Sequence, residues 1–204
     1  MVHRHCRPLL AAPPRRACPR VDRPAASPYL MDLPELLEPE RIRCRCDIHS
    51  KKRALQTVAE LLGESLRASA AKARAADGGD PDADETTPEI SDMDILDALI
   101  SRERLGSTGL GHGIALPHSR LEVVDAPLAA LVTLNEGVDF ESADGEPVDV
   151  VLGLLVPSDC NDEHLEILAR LARRFSDVEL RDRLRGASDG ETLFGELQRL
   201  DTSS

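Results

Sequence analysis

The stretch that most constrains the fold runs from Val148 to Val156, because only Asp149 and Gly153 interrupt its large apolar side chains. A strand with one face in water alternates apolar and polar residues, whereas a strand covered on both faces stays apolar throughout. The run therefore predicts a central strand with helices on both sides. Shorter apolar runs bounded by proline and glycine predict further strands at Gly113–Pro117 and Leu128–Leu134.

Helical patterns lie on both sides of these strands in the sequence. Ser50 and Ser91 are predicted N-caps, and the first of the two helices is expected to run through Arg67. Three more helices are predicted in the C-terminal third, the last of them opened by a capping box at Ser188. Because strands and helices interleave, we predict a layered α/β domain over about residues 33–201.

The segment 41–48 alternates strictly between apolar or thiol side chains and charged ones. It predicts a half-buried strand in which Cys44 and Cys46 share the core-facing side, and this packing role is favoured over a metal site. The five cysteines are odd in number and form no repeated C-x-x-C pair. Reduced thiols and a cytoplasmic location are therefore expected.

Two segments differ in composition from the rest of the chain. Residues 1–30 are rich in arginine and proline, and we interpret them as a disordered extension, with Met31 as an alternative translation start. The domain is expected to span 31–204. Within it, residues 69–90 hold little to bury and are predicted to be a mobile acidic insertion, beginning at about Ala75.

Charge and aromatic content exclude some classes of function. With 25 Lys and Arg against 37 Asp and Glu, the formal net charge is −12, which disfavours nucleic-acid binding. Aromatic residues make up only 2% of the chain, so bases have few side chains on which to stack. No apolar stretch approaches the roughly 20 residues of a membrane span.

The segment 106–118, GSTGLGHGIALPH, combines glycines with hydroxyl side chains directly before a histidine. Such a backbone can bring N–H groups close to an anion, and we expect a phosphate there. The nucleotide-binding motifs fail, because no Lys-Ser/Thr pair follows the glycines and the spacing does not match G-x-G-x-x-G. The predicted phosphate-binding residues are Ser107, Thr108, Gly109, Gly111 and Gly113.

His118 follows Pro117, which stiffens the backbone and presents the imidazole beside the glycine segment. A neutral imidazole has a reference pKa of about 6.5 and is a good nucleophile at cytoplasmic pH. We therefore predict that His118 accepts a phosphoryl group. The alternative is a structural loop histidine.

Two further residues are candidates for the same site. His164 opens the helix after the central strand, where sites often form at strand ends, and it can donate to phosphoryl oxygens or simply lie at the surface. Arg102, like Arg104, precedes the glycine segment and can neutralise phosphoryl charge, or instead stabilise a helix C-terminus. No third metal ligand has a telling spacing, so no metal is predicted.

Four segments together resemble one known family. KKRALQ (51–56), SRERLGSTGLGHGIALPH (101–118), PVDVVLGLLVP (147–157) and EHLEILARLARRF (163–175) look like the enzyme IIA domain of the phosphotransferase system, fructose/mannitol type, in its nitrogen-regulatory branch. The resemblance covers about residues 33–200. It implies a three-layer sandwich, a mixed β-sheet flanked by helices on both faces.

The resemblance also implies a function. It implies a cytoplasmic phosphocarrier whose active histidine is His118, with His164 and Arg102 in the site and no cofactor. Its phosphoryl donor would be an HPr-like phosphocarrier fed by enzyme I, and its targets would be regulators of nitrogen metabolism or potassium uptake. Where the family most often has glycine and lysine after the active histidine, this chain has Ser119 and Arg120.

Two alternatives stay open at this point. The chain can be a sugar-transport enzyme IIA that passes phosphate to an enzyme IIB, although it contains no attached IIB region. It can also be a binding module that senses a small anion without covalent chemistry. In every reading it is a phosphotransferase component or a binding protein, and whether it counts as an enzyme is left undecided.

Overall fold

The computed structural model describes residues 33–76, 90–160 and 162–201. This part of the chain forms six helices and six strands. The helices are α1 (Leu33–Leu36), α2 (Lys51–Ala76), α3 (Asp92–Glu103), α4 (Asp162–Phe175), α5 (Val178–Gly186) and α6 (Gly190–Asp201), and a 3₁₀ turn occupies Pro39–Arg41. The strands are β1 (Ile42–Cys46), β2 (Gly109–Gly111), β3 (Ile114–Ala115), β4 (His118–Leu121), β5 (Leu128–Val138) and β6 (Val148–Pro157).

The strands form one mixed sheet in the order β1-β5-β6-β3-β2, and β4 also pairs with β6. Strand β6 runs antiparallel to β5 and parallel to both β3 and β4. The interior of β6 is buried from Val150 to Val156. The prediction of a central strand covered on both faces is therefore confirmed.

The sheet separates two apolar clusters. Alternate residues of β6, such as Leu152 and Leu154, pack with α1, α4, α5 and α6 on one face. Val151 and Leu155 pack with α2 and α3 on the other. Helices thus cover both faces, and the predicted three-layer α/β sandwich is confirmed.

Strand β1 corrects one prediction about the cysteines. Cys44 packs against the cluster under α4–α6, whereas Cys46 packs against the cluster under α2 and α3. The two thiols therefore lie on opposite faces, not on one. The cause is a register shift between Arg43 and Cys46, with Arg45 at a positive φ of 55°, because a bulge residue reverses the side-chain alternation of a strand.

Helix α2 is longer than its apolar pattern indicated. It runs to Ala76 instead of ending near Arg67, so residues 69–76 of the predicted acidic insertion are helical. Alanine and lysine have high helix propensity, and they continue the helix where nothing remains to bury. The rest of the insertion, 77–89, and the predicted N-terminal extension lie outside the described residues.

The helix caps agree with the sequence in two of three places. Ser50 Oγ accepts from the Arg53 N–H, and Ser91 forms a full capping box with Asp94. At α6 the capping side chain is Asp189, which accepts from the Thr192 N–H at 2.8 Å, and not the predicted Ser188. Asp189 is one residue closer to the helix and its carboxylate is a stronger acceptor.

The predicted strand Gly113–Pro117 is divided in two. Strand β3 ends at Ala115 and β4 begins at His118, because Pro117 has no N–H to donate to a ladder. Its carbonyl nevertheless accepts from the Leu154 N–H, so both pieces stay on β6. None of the helices described is long and apolar enough to cross a membrane.

Candidate active site

His118 is the first residue of β4 and is only 8% exposed. Its Nδ1 lies 2.8 Å from the carbonyl oxygen of Leu116, and the Nε of Arg102 donates to its Nε2 at 3.0 Å. A carbonyl only accepts, so the ring proton must be on Nδ1. The Nε2 lone pair of His118, which accepts from Arg102, is consequently the nucleophilic position.

The surroundings keep His118 uncharged. Burial lowers the pKa of His118 below its ordinary value, and the positive charges of Arg102 and Arg120 lower it further. The hydrogen bond to Leu116 and the charge of Glu103 act in the opposite direction and are outweighed. A neutral ring at physiological pH keeps the lone pair on Nε2 available.

His164 comes from α4 and lies beside His118. The two ring centroids are 5.2 Å apart and the rings are tilted by 54°. The two histidines predicted for one site therefore lie side by side. Burial, with the neighbouring positive charges added to it, lowers the pKa of His164 to about 4. Its Nε2 is buried and has no hydrogen-bond partner among the described residues.

Arg102 reaches the histidines from the last turn of α3. Its Nε donates to His118, and its Nη1 donates to the carbonyl oxygen of Gly106 at 3.1 Å. The guanidinium therefore spans the start of the glycine segment and the imidazole. Arg104, the other arginine considered, is exposed at the C-cap of the same helix.

Of the predicted phosphate-binding residues, the first three lie near Arg102, but protein atoms already occupy their donors. The Thr108 N–H and hydroxyl both donate to the Glu103 carboxylate, the hydroxyl at 2.5 Å. The Ser107 hydroxyl donates to the carbonyl oxygen of Phe140, and the Gly109 N–H donates to Ser107. These donors hold the segment in shape.

Gly111 and Gly113 lie at the opposite end of the β2–β3 hairpin. The carbonyl of Gly113 accepts from Asp149 and Val150 at the start of β6, whereas His118 pairs with Leu154. Four residues of strand separate the two points by about 13 Å. The structure does not bring these two glycines to the histidines.

A group of possible metal ligands lies where the hairpin turn meets the connection between β5 and β6. His112, Asp144 and Glu146 offer ligand atoms within 4.8 Å of one another, and all three residues are exposed. Both Asp144 oxygens already accept backbone N–H groups, from His112 and Glu146. This group is remote from His118 and takes no part in the site built around it.

The structure adds three contributors that sequence reasoning did not assign to the site. They are the carbonyl of Leu116, the buried carboxylate of Glu103, and Arg120, whose Nη2 is 3.1 Å from Nδ1 of His164. Of the three, only Arg120 could have been inferred from sequence spacing, because side chains two residues apart on a strand lie on the same face. The other two depend on tertiary contacts.

Comparison with known proteins gives a consistent result. The family model for the phosphoenolpyruvate-dependent sugar phosphotransferase system, EIIA 2, matches residues 35–199. A nitrogen regulatory protein of Pseudomonas aeruginosa is 36% identical over 165 residues, which cover 81% of this chain and 94% of that protein. A fructose-specific EIIA component of Haloferax volcanii is 35% identical over 105 residues, 51% of this chain and 68% of that one.

A solved structure agrees with these sequences. The crystal structure of nitrogen regulatory protein IIA-Ntr from Neisseria meningitidis superposes with a TM-score of 0.64 and 33% identity, over 81% of this chain and 98% of that chain. The match extends over almost the whole relative, and the sugar-specific relative covers much less of this chain. The chain therefore belongs to the type-2 enzyme IIA family of the phosphoenolpyruvate-dependent phosphotransferase system, within its nitrogen-regulatory branch.

Proposed function

We propose that the chain is a regulatory phosphocarrier in which Nε2 of His118 accepts a phosphoryl group. The observation that carries the proposal is the pair of hydrogen bonds at this ring. Leu116 fixes the proton on Nδ1, and Arg102 lies against the lone pair on Nε2. A nucleophile and a cation that can neutralise phosphoryl oxygens are thus held side by side.

The donor is an HPr-like carrier, itself phosphorylated on a histidine by enzyme I at the expense of phosphoenolpyruvate. In the step, the lone pair of His118 Nε2 attacks phosphorus and the phosphorus–nitrogen bond to the donor imidazole breaks. The His118 ring gains positive charge while Nδ1 keeps its proton, and the Leu116 carbonyl stabilises that charge. The donor ring leaves with the electron pair of the broken bond.

Arg102 and His164 act on the transferred group. As His118 attacks, the Arg102 guanidinium is released from Nε2 and can donate to the phosphoryl oxygens, where charge is spread in the transition state. His164, 5.2 Å away between ring centroids, can supply an N–H donor from the other side. The phosphate-binding role predicted for the glycine segment reduces to holding these groups in place.

Phosphorylation gives the protein two forms with different surfaces. The modification adds a charge of about −1.5 to −2 and new acceptor oxygens beside Arg102 and Arg120. Partner proteins that bind this face can then distinguish the two forms. The proposed targets are cytoplasmic regulators of nitrogen metabolism, in keeping with the name of the nitrogen regulatory relatives, or regulators of potassium uptake.

The second candidate is transfer of the phosphoryl group from His118 to a sugar-specific enzyme IIB. The fructose-specific relative supports it, because its matching region spans 105 residues of this chain. The two candidates share the first step and differ in the second. Adding a IIB acceptor to the phosphorylated protein separates them, because a regulatory carrier keeps its label.

The test is phosphorylation of the purified chain by phosphoenolpyruvate, enzyme I and an HPr-like carrier, followed by intact-mass measurement. We expect one acid-labile phosphoryl group in the wild type, none in His118→Ala, and an unchanged yield in the matched control His112→Ala, which removes an exposed histidine. No label from an active donor set would contradict the proposal and favour a non-covalent anion sensor.

A further inference from the structure

Arg120 is placed so that it controls the second histidine of the site. It is the third residue of β4, pairs with Val156 of β6, and lies on the same strand face as His118. Its guanidinium Nη2 is 3.1 Å from Nδ1 of His164. Strand β4 therefore supplies both the proposed nucleophile, His118, and a cation that contacts the neighbouring imidazole of His164.

This contact determines where His164 carries its proton. A guanidinium has donors only, so Nδ1 of His164 must accept. In the neutral ring the single proton is then on Nε2. The neutral form dominates, because burial and the surrounding positive charges lower the pKa of His164 to about 4.

The resulting Nε2–H group is poised for a ligand. Nε2 of His164 is buried, and it has no hydrogen-bond partner in the part of the chain that the structure describes. An unsatisfied buried donor is energetically unfavourable, and a phosphoryl oxygen can satisfy it. The adjacent His118 ring is where the proposed function places such an oxygen.

We propose that Arg120 is a positioning residue that fixes the Nε2–H tautomer of His164, so that His164 donates to the phosphoryl group on His118. The inference rests on the proposed function for its final step. It explains why an exposed arginine lies against a buried imidazole.

A simpler role for Arg120 is to add positive charge near the phosphoryl group. The two roles differ in one observable, the tautomer of His164 in the unphosphorylated protein. Long-range ¹H–¹⁵N spectra of the imidazoles report this tautomer directly, without any phosphoryl transfer. The single-turnover rate of transfer from the HPr-like carrier is the second readout.

The experiment compares the wild type with Arg120→Met, Arg120→Lys and the matched control Arg43→Met, which removes an exposed arginine from β1. We expect the wild type and the control to show the Nε2–H tautomer of His164. In Arg120→Met the proton should distribute over both nitrogens, and the rate should fall in proportion to the lost Nε2–H population, about twofold for an even distribution. In Arg120→Lys the rate should follow whatever Nε2–H population the spectra show.

Rate and tautomer must therefore change together. A slower Arg120→Met protein with an unchanged tautomer would overturn the inference in favour of charge alone. An altered tautomer with an unchanged rate would overturn it too, as would no change in either. If none of the four proteins accepts phosphate, the proposed function fails, and the spectra still show whether Arg120 controls the tautomer.

Discussion

Each end of the β2–β3 hairpin has a carboxylate paired with a cation, but the two pairs differ in burial. Beside His118, Glu103 accepts from both donors of Thr108 and from Lys51 at 2.9 Å, and its side chain is 5% exposed. At the far turn, Asp149 binds Arg185 through two contacts of 2.7 and 2.8 Å, with both side chains about one third exposed.

The difference shows what the glycines contribute. At the far turn the glycines permit positive φ and a close approach of side chains, and the His112 N–H donates to Asp144. At the near end the backbone N–H groups of Thr108 and Gly109 donate to side-chain oxygens of the protein itself. The proposed chemistry therefore comes from two imidazoles and two guanidiniums, which the segment holds in place, and not from a phosphate-binding glycine loop.

The largest expected effect is on stability, at the buried end. Glu103→Ala leaves both buried Thr108 donors without their acceptor, whereas the Lys51 ammonium keeps Phe140 and Glu141 as partners. We expect the free energy of unfolding to fall by about 2–4 kcal/mol, because two buried donors lose their partner. Asp149→Ala breaks a partly exposed pair and should cost about 1 kcal/mol or less.

Urea denaturation of both variants gives the comparison directly. Equal losses in the two proteins would contradict the distinction between a buried and an exposed end. Glu103→Ala should also slow phosphoryl transfer, because segment 104–108 positions Arg102 through the Gly106 carbonyl. Asp149→Ala should leave the transfer rate unchanged.

The next prediction concerns pH. The pKa of His164 is about 4 in the folded protein and about 6.5 in the unfolded chain, so only the unfolded chain binds this proton between those values. The contribution to stability is complete above pH 6.5 and is lost as the pH falls toward 4. Wild type should therefore lose more stability than His164→Asn between pH 7 and pH 5.

Denaturation curves of the two proteins at both pH values measure that difference. If the free energy of unfolding fell equally in both proteins, burial of the His164 imidazole would make no contribution to the pH dependence of stability. Because the carboxylates are common to both proteins, their titration cancels in the comparison.

At the far turn, Gly113→Ala isolates the backbone conformation from the proposed chemistry. Gly113 has φ of +77°, and an added Cβ would lie 2.5 Å from Arg185 Nη2 and 2.6 Å from Asp149 Oδ1. The left-handed conformation alone should cost about 1–2 kcal/mol. The phosphoryl-transfer rate of the folded variant should match that of the wild type. A slower rate would show that the turn contributes to the site.

The smallest predicted change is a gain. Gly195 lies within α6, and a Cβ there would meet nothing within 4 Å. Gly195→Ala should stabilise the protein by about 0.5–1 kcal/mol, through helix propensity, with no effect on phosphorylation. It serves as the matched glycine control for Gly113→Ala, and a destabilised Gly195→Ala protein would undermine the use of added-Cβ geometry at both positions.

Sequence patterns were sufficient for the architecture because the sheet and helices have strong periodicity. The apolar β6 and the Ser91 N-cap are local signals, and both appear in the structure as predicted. The pattern failed at Arg45, since a bulge is set by pairing with β5 and leaves no mark in the alternation. It also missed residues 69–76, where helix propensity alone extends α2.

The site was predictable only in part. His118 and His164 were found because each lies at a strand or helix end in a distinctive context. The Leu116 carbonyl, the buried Glu103 and the contact from Arg120 to His164 depend on how distant segments meet. Glycine density, by contrast, suggested an anion site at Gly111 and Gly113, which the hairpin places about 13 Å away.

The most direct test of the central claim is ¹⁵N and ³¹P NMR of the phosphorylated protein, which identifies the nitrogen that carries phosphorus. The account predicts a single phosphohistidine at His118, with phosphorus on Nε2 and the proton retained on Nδ1 against Leu116. Phosphorus on Nδ1 of His118, or on any other residue, would contradict it.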